Sequence, residues 1–102
     1  MKLIENLTEM VEEELEDAEK YAKCALKYKD TDSALAKTFY DLSTDEMRHM
    51  NLLHDEVARI ITQYRKDNGE PPASMLAVYD YLHGKQIEHA KEVKYYQAMY
   101  RG

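Results

Sequence analysis

The sequence predicts an all-α chain of three helices, a long antiparallel hairpin followed by a third helix, with no strands. Apolar residues recur at helical spacing through three long segments. Polar and breaker residues separate those segments at Lys29–Ser33 and Asn68–Ala73. Only three glycines and two prolines occur in 102 residues, and 44% of the residues are hydrophobic, a composition that favours a compact helical domain over a disordered chain. The length fits one domain, residues 1–102.

The first helix is expected from about Ile4 to Lys29, with Leu7, Met10 or Val11, Glu14, Ala18, Tyr21, Ala25 and Tyr28 on its apolar stripe. Its acids cluster early (Glu5, Glu9, Glu12 to Glu14) and its lysines late (Lys20, Lys23, Lys27, Lys29), which complements the helix dipole. Lys29-Asp30-Thr31-Asp32-Ser33 supplies a short turn with capping side chains. The second helix then carries Leu35, Phe39, Leu42, Glu46, His49, Met50, Leu53, Val57, Ile60 and Tyr64 on one stripe, and stops near Asn68-Gly69. Glu70-Pro71-Pro72-Ala73 is a breaker, and the third helix runs from Ser74 to about Tyr100, where prolines just before the start are tolerated and Gly84 is the weak point. Tyr79, Tyr81, Tyr95, Tyr96 and Tyr100 point from it in several directions, so more than one of its faces calls for burial.

Charge narrows the function. With 14 basic against 20 acidic residues, net −6, the chain lacks the basic field of a nucleic-acid binder, and cations are its natural partners. The single cysteine, Cys24, rules out an intrachain disulfide and a Cys-x-x-Cys metal site, and points to a reducing compartment. Met1 to Leu7 carries Glu5 and Asn6 where a signal peptide needs an apolar run, and no segment is long enough to span a bilayer, so the expected location is the cytoplasm without membrane contact.

The chemistry concentrates at Glu46-Met47-Arg48-His49. A carboxylate and an imidazole three residues apart project from one face of a helix, and Glu14 falls on the stripe of the preceding helix. An acid removed from water needs a counter-ion, a hydrogen bond or a metal. In an antiparallel hairpin, depth can be counted from the turn: Glu14 lies 15 residues before Lys29, and Glu46 and His49 lie 13 and 16 residues after Ser33. The three therefore meet at one level. Two carboxylates and an imidazole suit iron, manganese or zinc.

These residues resemble the ferritin-like superfamily, whose di-iron or di-manganese sites take a lone Glu from each of two helices and a Glu-x-x-His from each of the other two. Glu14 with Tyr21 seven residues on, then Asp45-Glu46-Met47-Arg48-His49-Met50, is similar to the first helix pair of a rubrerythrin or ferritin over roughly Ile4 to Ile61. The chain departs from the pattern in having neither a fourth helix nor a second Glu-x-x-His. The resemblance implies a ferritin-like fold that binds iron for oxidation, storage or peroxide protection, and it leaves a ferroxidase-type oxidoreductase activity open.

Three completions of the half-set stay open. Two hairpins can pair, as in the encapsulated ferritins, into a homodimer or larger homo-oligomer, with a protein shell as a further partner. Alternatively the third helix contributes Glu88 if it runs parallel to the second, although the link from Asp67 to Ala73 spans only about 24 Å against a second helix on the order of 50 Å long. An antiparallel return instead brings His89, Glu92 and Tyr95 near the site.

Plainer readings accompany these. Glu12 and Glu13 read as solvated acids, His54 as an edge-of-core residue and His83 as surface, while Met47, Met50, Met75 and Met99 read as packing and Tyr21 as either core or a site neighbour. The alternative function is a non-catalytic helical interaction module that retains the fold.

Overall fold

The computed structural model describes all residues, Met1–Gly102. They form α1 (Lys2–Tyr28), α2 (Ser33–Asn68) and α3 (Ala73–Arg101), with no strand. No helix is long and apolar enough to cross a membrane.

Local chemistry sets each boundary. Asp32 accepts a hydrogen bond from the Leu35 N–H at 3.1 Å and so caps α2. Gly69 ends α2 at φ 80°, a left-handed conformation that favours glycine, while its N–H donates to the Arg65 carbonyl. Pro71 and Pro72 make the link, and the Pro72 carbonyl accepts from Met75 and Leu76 to open α3. Gly84 does not interrupt α3.

The short turn makes α2 antiparallel to α1, and the second link returns α3 parallel to α1. The Gln86 amide donates to the Thr8 carbonyl at 3.0 Å near one end, and Lys29 Nζ donates to the Met99 carbonyl at 3.3 Å near the other. The result is an elongated bundle of 55 × 19 × 18 Å in which α3 packs chiefly on α1. This up-down-up course follows from the short link and excludes the parallel α2/α3 arrangement that would have aligned Glu88 with Glu46.

The core runs along α1 through Val11, Leu15, Ala18, Ala22 and Ala25, opposite Ala36, Met47, Met50 and Val57 of α2 and Val93 of α3. Alanines let the helix backbones approach closely at the turn end. There Ser43, fully buried, donates to the Ala18 carbonyl at 2.7 Å and accepts from the buried Gln97 amide at 2.9 Å, so one hydroxyl ties all three helices.

The expected α2 stripe is displaced in part. Ala36, Ser43, Met47, Met50 and Val57 are the buried residues, whereas Leu35 and Leu42 are each 37% exposed and Phe39, Glu46, His49, Leu53 and Ile60 are half-buried. Small and flexible side chains one position along face α1 and α3, and the bulkier stripe borders solvent. Met47 and Met50 pack in the core, but Met99 is exposed and Met75 half-buried. Tyr81 and Tyr95 remain exposed, while Tyr100 stacks on Tyr40 of α2 at 4.8 Å.

Two substitutions test this packing. Ser43→Leu should cost at least about 1–3 kcal/mol, because it forces bulk between close helices and leaves the Gln97 amide unpaired. A Cβ at Gly84 meets nothing within 4 Å, so Gly84→Ala should stabilise by roughly 1 kcal/mol. Urea denaturation of the two variants beside wild type checks both signs.

Candidate metal centre

Midway along the hairpin, ligand atoms of Glu14, Glu46 and His49 lie within 4.8 Å of one another. The register explains it. Ala18 faces Ser43, and one turn further from the hairpin loop Glu14 faces Glu46 and His49. Each side chain is half-buried.

The contacts are open ones. His49 Nδ1 lies 3.7 Å from Glu14 Oε2 and 3.6 Å from Glu46 Oε2, beyond good hydrogen-bond length, and Nε2 lies 3.3 Å from an Arg48 guanidinium nitrogen. A guanidinium only donates, so Nε2 accepts there. Glu14 Oε2 is buried and has no hydrogen-bond partner. A buried carboxylate oxygen without a donor is costly, and a cation removes the cost. The spacing also fits one: bonds of about 2.1 Å at a tetrahedral angle place donor atoms roughly 3.4 Å apart. Two carboxylates and one imidazole therefore suit iron, manganese or zinc.

The remaining expected ligands stand elsewhere. Glu88 is exposed and pairs with Lys91 at 3.3 Å, Glu92 is exposed, and neither belongs to the group. His89 is held between two other acids, with Nδ1 2.9 Å from Glu12 Oε1 and Nε2 3.8 Å from Glu19 Oε2. The reason is rotational. Positions 12 and 14 differ by about 200° around a helix, so α3, docked on the Glu12 side, meets a different face of α1 from α2. Glu12 thus has a structural partner, which its sequence surroundings did not suggest. Tyr95 is likewise exposed and stacks edge-on with Tyr96.

Tyr21, half-buried, stacks on Phe39 at 6.2 Å, and Tyr28 stacks on the same ring at 5.9 Å. These rings lie between the site and the hairpin turn. Sequence reasoning did not anticipate that His83 is half-buried and stacked on His54. No sequence signal singled out this pair: His54 lies 14 residues before the end of α2 and His83 lies 10 after the start of α3.

Comparison with family models, with curated proteins and with solved structures finds no match.

The orphaned oxygen makes a measurable demand on the metal-free protein. Glu14→Gln replaces a buried anion by an amide that can donate to Glu46, so in the presence of EDTA its melting temperature should equal or exceed that of wild type. A clear drop measured by circular dichroism would show that the Glu14 charge is already satisfied.

Proposed function

We propose that this chain is a ferritin-like metal-binding protein that takes iron at Glu14, Glu46 and His49 and shares the site with a second copy. The convergence of these groups around the unpartnered Glu14 Oε2 carries the reading. The carboxylates would neutralise the ion, and His49 would supply the nitrogen that orients and selects it. Iron held this way supplies electron transfer to O₂ or peroxide, which suits iron oxidation, storage or peroxide protection. Iron(II) is then substrate and cargo, with manganese or zinc as competing ions.

Self-association rests on the face that carries the site. Leu3 and Met10 of α1 share a stripe with Glu14 and are 50% and 47% exposed, and Leu35 and Leu42 share one with Glu46 and His49. An apolar band flanking half a ligand set supports pairing of two hairpins, which supplies four carboxylates and two imidazoles. The same band supports the second reading, a non-catalytic interaction module, and metal content separates the two.

Protein prepared without chelator and loaded anaerobically with iron(II) should retain iron, and Glu46→Ala or His49→Ala should abolish retention. Removal of the metal should lower the melting temperature of wild type but not of those variants, because a ligand bound only to the native state stabilises it by mass action. Retention unchanged in both variants would falsify the assigned site. Light scattering should find a dimer or larger assembly; a monomer of 12.0 kDa with and without iron rejects the shared site.

A further inference from the structure

α2 and α3 touch sparingly, and His54 and His83 bring them together ring on ring. His54 of α2 and His83 of α3 stack with centroids 4.9 Å apart and planes 26° apart. Tyr79, one turn before His83, stacks on His83 at 5.6 Å. Both imidazoles are half-buried. The other two histidines face carboxylates, His49 toward Glu14 and Glu46 and His89 toward Glu12 and Glu19. His54 and His83 form no ion pair and face each other.

We propose that His54 and His83 form a second metal site, a two-imidazole chelate for a borderline divalent ion of the zinc(II), copper(II) or nickel(II) type. It is chemically distinct from the carboxylate-rich group in the hairpin. Imidazole favours these ions, whereas calcium, magnesium and manganese favour oxygen donors. The pair comes from two helices whose fold already brings the rings together, so binding does not have to close the intervening chain. Rotation about χ2 is broad for histidine, and a modest turn of each ring brings one nitrogen from each to a common ion. Tyr79, stacked on His83, walls one side of the pair. Water completes the coordination. An ion so placed fastens the N-terminal half of α3 to α2.

The test uses the full chain carrying Glu46→Ala and His49→Ala, which removes the hairpin site and makes the outcome independent of it. Zinc(II), titrated by calorimetry at neutral pH, should bind at one ion per chain and raise the melting temperature. His54→Phe, which keeps a ring in the stack but no donor, should lose both effects, and so should His83→Gln. Copper(II) loaded in place of zinc should show two imidazole nitrogens in its electron paramagnetic resonance spectrum, a signal absent from either variant. A chelate needs both donors, so either single change should lose as much as the two together. Zinc uptake that survives either substitution, or that falls by half with each, would mean independent surface histidines and overturn the proposal.

Discussion

The contact between Ser43 and the Ala18 carbonyl fixes the register on which the rest of the molecule depends. It is possible because Ala18, Ala22, Ala25 and Ala36 present almost no bulk where α1 and α2 cross near the turn. A hydroxyl reaching a backbone carbonyl inside a dry seam tolerates little sliding, since a shift of one residue rotates every neighbouring side chain by about 100°. The same seam sets Val11, Leu15, Met47 and Met50 against each other further along. Gln97 closes the arrangement from α3, so the buried Ser43 hydroxyl is paired both as donor and as acceptor.

Much of the hairpin could be read from the residues because its cause is local. A four-residue turn with an Asp32 cap admits only an antiparallel return, and counting from it placed Glu14 level with Glu46 and His49. The link length argued against a third helix parallel to the second without deciding the matter, and the fold shows the antiparallel return. What could not be read was the azimuth at which α3 docks. Its apolar residues spread around the helix, with Val78, Tyr81, Leu82, Ile87, Tyr95 and Met99 left exposed and Val93 buried, so no single face announced itself. The choice was made by partners on α1, namely the Glu12 and Glu19 carboxylates for His89 and the Thr8 carbonyl for Gln86. Likewise the α2 core stripe of Ala36, Ser43 and Met47 was hidden behind the more conspicuous Leu35, Phe39 and Leu42. Close helix approach selects small residues, which periodicity of large apolar side chains undervalues.

α1 offers acids to both of its neighbours, and the two histidines that answer them do so differently. His89 hydrogen-bonds the Glu12 carboxylate through Nδ1 at 2.9 Å, with the Glu19 carboxylate 3.8 Å from its other nitrogen. His49 turns one nitrogen toward two carboxylates at nearly equal distance and gives the other to Arg48. The first is a hydrogen-bonded contact between helices. The second is an open group of three potential ligands. Sequence spacing alone does not separate the two; the separation comes from how many acids converge on one nitrogen.

The attachment of α3 is uneven along its length. Its C-terminal half is held by Gln97, by Tyr100 against Tyr40 and by an Arg101 hydrogen bond to the Tyr40 hydroxyl, whereas its N-terminal half borders a half-open apolar groove of about 870 Å³ lined by Ile4, Ile61, Tyr64, Met75 and Leu82. Amide hydrogen exchange should register this as a gradient: the backbone N–H groups after Pro72 open in small, low-energy fluctuations, and those around Val93 exchange only when the hairpin itself comes apart. α3 is thus one continuous helix whose two halves are held by different kinds of contact, with Gly84 lying between them.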